Sequence, residues 1–278
     1  MRDIFVFSDI HGMWDLYKAI MDYCYEQDPE AMIIYCGDAC DRGPDGYRIM
    51  KELLDNPYVI YLKGNHEDMF VKAAYEIKRE FHPYEALTKD SVTTFLQCTR
   101  GFDYRYAAIQ DTLYNGGLST LTDWIMDGMP MDFVERIDKL PLTFSTDTYD
   151  FCHAAGIYKI FKAAADAEYN GQTVDEYNAN SLLWSRTAFE YGWLPNRTVI
   201  FGHIPVPYLL EDLQVKCDKI QPYKYIGTFN PAFTGAKIDI DTGAAFTGIA
   251  YVLNILTMKA QGFKLKDKQV EKIEVIQL

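Results

Sequence analysis

The N-terminal part of the chain alternates short apolar runs with segments whose apolar residues recur at helical spacing. Residues 4–8, 32–36 and 58–62 are apolar runs of the length typical of buried strands. Residues 14–25 and 47–54, which lie between these runs, carry apolar side chains three and four positions apart. This β-α-β-α-β order predicts a parallel sheet with helices packed on its faces.

The pattern changes after residue 67, where helical spacing replaces the strand pattern. Helical periodicity is found near residues 68–80, 85–97, 103–113, 117–127 and 131–138. We therefore expect a helical insertion, at about residues 68–140, that caps the motif-bearing edge of the sheet.

Strand patterns return after the helical block. They cover residues 142–145, 149–153, 198–201, 237–240, 247–256, 262–266 and 270–277. Turn residues separate these segments at regular spacing, which predicts a second, mostly antiparallel sheet. The expected fold class is α/β (α+β), a two-sheet β-sandwich flanked by helices, within a single domain that spans residues 1–278.

The composition narrows the classes of protein that fit this chain. Its hydrophobic fraction of 49% and charged fraction of 24% are ordinary for a globular protein. The formal net charge of −13 disfavours binding to a nucleic-acid backbone or an anionic membrane. No apolar run approaches the roughly 20 residues that cross a bilayer, and no signal peptide is expected because a strand pattern begins close to Met1. We expect a cytoplasmic protein whose six cysteines are free thiols.

Five short polar motifs each follow an apolar run, and together they hold four of the five histidines. The motifs are Asp9-Ile10-His11, Gly37-Asp38-Ala39-Cys40-Asp41-Arg42-Gly43, Gly64-Asn65-His66-Glu67, Phe151-Cys152-His153-Ala154-Ala155-Gly156 and Gly202-His203-Ile204-Pro205. In an α/β fold, the loops that follow strands gather at the carboxyl edge of a sheet, where ligands bind. Convergence of these loops would collect three carboxylates, an amide and four imidazoles, which is the composition of a two-metal hydrolytic site.

The strongest motifs suggest separate roles for their residues. The carboxylate of Asp38 can bridge two cations with its two oxygens, and Asn65 offers an amide oxygen as a neutral ligand. His66 follows Asn65 directly and projects away from it, so it suits a proton donor outside the metal shell, with its other ring nitrogen held by Asp41. Arg42 presents a planar fork of donors that matches two phosphate oxygens.

The remaining candidates have weaker local signals. A turn after His11 would let Asp9 and His11 reach one cation, although this spacing also occurs by chance. His153 and His203 each end an apolar run, where a neutral imidazole is a good ligand for zinc, manganese or iron. Arg186 is a second candidate for phosphate binding, and its alternative role is that of an ion-pair partner.

In this order, the five motifs resemble those of the calcineurin-like metallophosphoesterases, and more narrowly the bacterial and phage members of the phosphoprotein phosphatase (PPP) branch. Residues 238–243, with the sequence IDIDTG, resemble a late segment of the same family. The resemblance implies a β-sandwich flanked by helices and two divalent metal ions. It assigns the first metal to Asp9, His11 and Asp38, the second to Asp38, Asn65, His153 and His203, the phosphate to Arg42 and Arg186, and proton donation to His66 with Asp41.

The implied activity is that of a dinuclear-metal-dependent enzyme that hydrolyses phosphomonoesters, of the serine/threonine protein phosphatase type. Its partner would be a phosphorylated substrate, either a phosphoprotein or a small phosphoester. Manganese is the first expectation for the metal, and iron and zinc also fit the mixed nitrogen and oxygen donors.

Two alternatives remain at this point. A bis(5′-nucleosyl)-tetraphosphatase belongs to the same branch, but such enzymes commonly have Ala at the position of Asp41 and Asp at the position of Glu67, so both residues favour phosphomonoesters. A non-catalytic metal-binding scaffold should have lost ligands, whereas this chain keeps all six.

Overall fold

Strands in two sheets form the centre of the molecule. The computed structural model describes residues 2–81, 88–99, 104–155, 174–186, 194, 196–212, 214–216, 219–225 and 235–278. Within these ranges, eleven strands form one sheet of six strands and one of five. In chain order they are β1 (Ile4–Phe7), β2 (Met32–Tyr35), β3 (Val59–Tyr61), β4 (Thr143–Ser145), β5 (Tyr149–Cys152), β6 (Thr198–Phe201), β7 (Tyr223–Tyr225), β8 (Ala236–Asp239), β9 (Ile249–Asn254), β10 (Lys259–Lys266) and β11 (Gln269–Gln277).

The first sheet has the strand order β11-β10-β9-β1-β2-β3 and combines a parallel and an antiparallel half. β1, β2 and β3 are parallel, with Ile4 opposite Met32. β9, β10 and β11 are antiparallel, and β9 pairs with β1 so that Val6 lies opposite Leu253. The parallel half confirms the predicted β-α-β-α-β arrangement.

The second sheet has the order β4-β5-β6-β8-β7. Its three central strands are parallel, and only the two edge strands run antiparallel to them. The prediction of a mostly antiparallel second sheet that includes the C-terminal strands is therefore wrong. β9, β10 and β11 instead extend the first sheet, because the chain crosses between the sheets after β8. Alternation of apolar residues identifies a strand, but it does not say which strand lies beside it.

Helices flank the sheets. In chain order they are α1 (Trp14–Gln27), α2 (Gly46–Asp55), α3 (Asn65–Glu80), α4 (Lys89–Cys98), α5 (Ala107–Tyr114), α6 (Leu118–Met126), α7 (Met131–Asp138), α8 (Val174–Trp184), α9 (Val206–Asp212) and α10 (Ala244–Thr247). Helices α3 to α7 confirm the helical block, and the parts of that prediction that fell on residues 82–87 and 100–103 lie outside the described residues. Across the described ranges, no helix has the length and apolar character needed to cross a membrane.

The strands β1 and β2 at the centre of the first sheet are buried on both faces, which explains their unbroken apolar runs. In β1, Phe5 and Phe7 pack on the side of the helices with Leu16 of α1. Val6 points the other way and packs between the sheets with Ile200 of β6. Burial of each such side chain contributes about 1.5–3 kcal/mol. The two layers together hold the carboxyl ends of β1, β2, β3, β5 and β6 close to one another.

Candidate metal centre

Backbone hydrogen bonds join the motif loops in two pairs, one pair on each sheet. Asp9 N–H donates to the carbonyl of Gly37 at 3.0 Å, and His11 N–H donates to the carbonyl of Asp38 at 3.1 Å. In the second sheet, Gly202 N–H donates to the carbonyl of His153 at 2.9 Å. The structure therefore brings the predicted motifs together at one edge, as the strand-end rule predicts.

Several motif residues adopt a left-handed backbone conformation that non-glycine residues normally avoid. The six residues, with φ between 47° and 73°, are Asp9, His11, Asp38, Asp41, Arg42 and His203. Each such conformation costs roughly 1–2 kcal/mol. Because strain of this kind persists only where the surroundings enforce it, its concentration here indicates a functional site.

Asp38 lies at the centre of the converging side chains and is 2% exposed. Its Oδ2 is 3.6 Å from His11 Nε2 and 3.8 Å from His66 Nε2. Its Oδ1 is 3.4 Å from His153 Nε2. The two oxygens of one carboxylate therefore face two separate groups of imidazoles, which is the position of a bridging ligand.

Asn65 completes the group on the Oδ1 side. Its side-chain oxygen is 2.8 Å from His153 Nε2 and 2.9 Å from His203 Nδ1. The two imidazole nitrogens are themselves 3.2 Å apart. One carboxylate, one amide and two imidazoles thus point at a common volume, and all four residues are buried.

Two of the imidazoles are oriented by backbone carbonyls. His11 Nδ1 lies 2.8 Å from the carbonyl oxygen of Cys40, and His153 Nδ1 lies 2.9 Å from that of Cys36. A carbonyl only accepts, so Nδ1 carries the proton. Burial lowers the pKa of both histidines, which keeps the rings neutral and leaves lone pairs on Nε2. The lone pair of His153 faces the carboxylate of Asp38, and that of His11 lies near the same carboxylate and accepts from Arg42 Nη1. Acceptors that face acceptors fit a cation between them.

Asp9 is buried in the centre, but its carboxylate does not belong to either of the two groups of close ligand atoms that share Asp38. Its two carboxylate oxygens both lie 3.2 Å from the backbone N–H of His203, which donates to them. Burial and the neighbouring carboxylates of Asp241 and Asp38 raise the pKa of Asp9 well above its usual range. A cation beside Asp9 would relieve this crowding of negative charge, so the predicted ligand role remains chemically consistent.

His66, the predicted proton donor, is held by Asp41. His66 Nδ1 lies 2.7 Å from Asp41 Oδ2, and both side chains are buried. Burial alone would lower the pKa of His66, but the carboxylates of Asp38 and Asp41 raise it above its ordinary value. Because His66 Nε2 also approaches Asp38, the distances alone would admit His66 to the group formed by His11 and Asp38.

The two predicted phosphate-binding arginines lie at the exposed side of the centre. Arg42 places Nη1 2.7 Å from His11 Nε2 and Nη2 3.2 Å from His66 Nε2. Arg186 follows the end of α8 and is exposed. Burial and His153 are the main causes that lower the pKa of His203, and the charge of Arg186 is a further cause. Arg186 therefore lies near that ring.

Glu67 has a larger role than the helix-start cap that its sequence position suggests. Its Oε2 accepts from the backbone N–H groups of Gly64 and Asp38, both at 2.8 Å. Its Oε1 accepts from Ala39 N–H at 2.7 Å and from the Tyr61 hydroxyl at 2.8 Å. Burial and the charge of Asp38 raise the pKa of Glu67 to about 7, and the donated hydrogen bonds oppose that rise. Glu67 therefore ties the loop of Asp38 to the start of α3.

Asp241 is the site residue to which sequence analysis gave no role. It follows β8, which is the parallel neighbour of β6, so it lies at the same sheet edge as His203. It is 2% exposed, and burial raises its pKa to about 7 while the charge of Arg42 lowers it. The strand-end rule that found the other residues would also have found Asp241, since residues 237–240 were predicted to form a strand.

The geometry and the sequence agree on the class of protein. The family model described as calcineurin-like phosphoesterase matches residues 3–227, and the chain belongs to that family. In curated proteins, the chain is 35% identical over 72 residues to serine/threonine-protein phosphatase 2 of Escherichia coli (strain K12). It is 31% identical over 72 residues to serine/threonine-protein phosphatase 1 of Salmonella typhimurium. Each match spans 26% of this chain and 33% of the relative, so the alignment covers about a third of the curated relatives.

Two solved structures with some likeness to this chain share little sequence identity with it. One is a metallophosphoesterase from Sphaerobacter thermophilus, 12% identical with a TM-score of 0.46, covering 99% of this chain and 89% of that chain. Another is a cold-active protein-tyrosine phosphatase of a psychrophilic Shewanella species, 14% identical with a TM-score of 0.48, covering 99% and 81%.

Proposed function

We propose that this protein is a dinuclear-metal-dependent phosphoesterase that hydrolyses phosphomonoesters, with phosphoserine or phosphothreonine in proteins as the favoured substrate. The observation that carries the proposal is the position of Asp38. One buried carboxylate faces His11 with Oδ2 and His153 with Oδ1. Each oxygen has further donors beside it, so the arrangement suits two cations that share one ligand.

The proposed metal ligands follow the two sides of Asp38. Asp9, His11 and Asp38 would hold one ion, and Asp38, Asn65, His153 and His203 would hold the other. Our first expectation for the metal is manganese, and iron or zinc also fits these imidazole, carboxylate and amide donors. The chemistry that divalent cations supply in such a site is Lewis-acid polarisation of the phosphoryl group and activation of water at neutral pH.

The protein side chains would bind the phosphate and move a proton. Arg42 and Arg186 offer charged donors for the phosphate oxygens and offset charge that develops during transfer. His66 would donate the proton that the departing alkoxide needs. Asp41, 2.7 Å from His66 Nδ1, favours the protonated ring that this role requires.

The favoured substrate class is supported by the pair of His66 and Asp41. A serine or threonine alkoxide is a poor leaving group, so its hydrolysis benefits from a strong proton donor. The curated relatives carry the name serine/threonine-protein phosphatase, which supports the same substrate class. A dinucleoside tetraphosphate would instead release a nucleotide, whose phosphate leaves without a proton.

A substrate panel tests the proposal. The purified chain would be assayed with 4-nitrophenyl phosphate, a phosphoserine peptide and diadenosine tetraphosphate, each with manganese and with a chelator. We expect manganese-dependent phosphate release from the first two, at higher kcat/KM than cleavage of the dinucleotide. A clear preference for diadenosine tetraphosphate would establish the tetraphosphatase activity instead. Absence of turnover with manganese, iron and zinc would reject the phosphoesterase proposal.

A further inference from the structure

Phe246 presents a large apolar ring to solvent beside the metal centre. Phe246 is 64% exposed, whereas seven of the ten other phenylalanines in the described ranges are buried. The Cζ atom of Arg42 lies 5.1 Å from the centre of this ring. This distance is within the range of a cation–π contact between a guanidinium and an aromatic face.

Hydrogen bonds fix the backbone of the turn that carries Phe246. Phe246 lies in α10, a single turn that begins after Gly243 and ends before Gly248, and both glycines have the positive φ that such a tight turn requires. Phe246 N–H donates to the carbonyl of Gly243 at 2.8 Å. The Thr247 hydroxyl donates to the carbonyls of Thr242 and Gly243, both at 3.0 Å.

The same segment is tied to the metal centre. It follows β8, and the carbonyl of Asp241 accepts from Val206 N–H at 2.7 Å, just after the His203 motif. The carboxylate of Asp241 interacts with the charge of Arg42. The guanidinium of Arg42 therefore has a ring on one side and the imidazoles of His11 and His66 at its donor atoms.

Arg42 needs such support because it lies on the surface. An exposed arginine loses considerable rotamer freedom when its fork is fixed on a phosphate, and preorganisation reduces that loss. The backbone of Arg42 is fixed already, since its N–H donates to the carbonyl of Gly116 at 3.0 Å. The ring of Phe246 supplies the corresponding restraint at the far end of the side chain.

We propose that Phe246 is a positioning residue, which holds the guanidinium of Arg42 in the orientation that receives the phosphate group of the substrate. The role rests on the proposed phosphoesterase function and concerns binding of the phosphate, not the transfer of the proton. Loss of the ring should weaken phosphate binding by about two- to fivefold, the size expected for an exposed cation–π contact.

The contact itself can be tested without an activity assay. The Nε–H signal of Arg42 would be followed by NMR in the zinc-loaded protein and assigned by its loss in Arg42→Lys. A guanidinium over a ring face has an upfield-shifted signal, which should move downfield in Phe246→Leu and stay in Phe246→Tyr. The matched control is Tyr58→Leu, which should leave the Arg42 signal in place. Tyr58 is 43% exposed and has Arg2 Cζ 4.9 Å from its ring centre, at the opposite end of the strands. An Arg42 signal that is unchanged in Phe246→Leu would overturn the contact.

Kinetics then test the role. In Phe246→Leu, the KM for 4-nitrophenyl phosphate and the inhibition constant of inorganic phosphate should both rise about two- to fivefold, with kcat nearly unchanged. Phe246→Tyr should restore both values, and Phe246→Leu should have no effect in an Arg42→Gln background. Equal effects with and without Arg42 would overturn the positioning role. If the wild-type chain has no turnover, the phosphoesterase proposal fails, while the NMR result still decides the contact.

Discussion

The two halves of the metal centre are built differently. The half on the first sheet consists of three motif loops joined to one another, and the carboxylate of Glu67 alone accepts four hydrogen bonds within it. The half on the second sheet contributes single histidines. His153 is oriented by the carbonyl of Cys36, and the backbone N–H of His203 donates to Asp9.

The ring of His153 is therefore oriented by a first-sheet loop, whereas the second half acts on Asp9 through the backbone N–H of His203, which a side-chain substitution keeps. Damage to the first half should disturb both groups of ligands, whereas damage to the second half should stay local. Each of the following variants tests this asymmetry.

Asp38→Asn should have the largest effect, because it removes the carboxylate that both halves share. An amide has one acceptor oxygen and carries no charge, so it cannot bridge two cations. Loss of a residue that only hydrogen-bonds to a metal ligand costs up to about 100-fold in activity. Asp38 would bind the metals directly, so we expect kcat/KM to fall by more than about 100-fold. Retention of two tightly bound manganese ions in Asp38→Asn, measured by isothermal titration calorimetry, would contradict the bridging position.

His203→Ala should have the next largest effect and a local one. The ring contributes Nδ1, 2.9 Å from the Asn65 oxygen, and belongs only to the second group of ligands. We expect one manganese site to weaken by at least about tenfold while the other keeps its affinity. Calorimetry that shows equal weakening of both sites would mean that the first half also depends on the second.

Glu67→Gln should destabilise the protein and weaken both metal sites. An amide in place of the carboxylate would turn a donor towards a backbone N–H group of Gly64, Asp38 or Ala39. Loss of such charge-assisted hydrogen bonds should lower the free energy of unfolding by about 2–3 kcal/mol, measured by urea denaturation. The matched control is Glu135→Gln, since the Glu135 side chain is 58% exposed and its ion pair with Lys139 is long, 3.9 Å. An unchanged free energy of unfolding in Glu67→Gln would show that the hydrogen bonds to Glu67 contribute little to stability.

Asp41→Asn should have the smallest effect, which is a shift in pH dependence. The carboxylates of Asp38 and Asp41 raise the pKa of His66, and a proton donor must be protonated to act. Activity should therefore fall as the pH rises through the pKa of His66, and loss of the Asp41 charge should move that decline to lower pH. The profile of kcat/KM against pH measures this, with Asp55→Asn as control, because Asp55 ends α2 and its side chain is 66% exposed. A decline that stays in place, or that moves to higher pH, would argue against His66 as the proton donor.

The difference between the halves also explains what the sequence could predict. The first-half residues are contiguous motifs directly after apolar runs, so Asp38, Asp41 and Arg42 can be read together. His153 and His203 are single residues after strands, and only the order of all five motifs identifies them. Strand pairing in the C-terminal part was predicted wrongly, because alternation does not specify the neighbouring strand.

For a related reason, the sequence could not predict contacts between segments that are distant along the chain. The hydrogen bond that Asp38 N–H donates to Glu67 joins residues 29 positions apart. The position of Glu67 in its motif suggests only a helix cap. The contact of Phe246 with Arg42 joins segments about 200 residues apart, and neither residue type has a pattern that indicates the other. Such contacts follow from the packing of the two sheets, which no local pattern describes.

The most direct test of the account is the number of manganese ions that the purified chain binds, with and without the bridging carboxylate. Calorimetric titration of the wild-type protein should give two ions per chain, His203→Ala should keep one at wild-type affinity, and Asp38→Asn should lose tight binding of both. A wild-type stoichiometry of one or none, or an Asp38→Asn variant that binds as the wild type does, would contradict a centre built around Asp38.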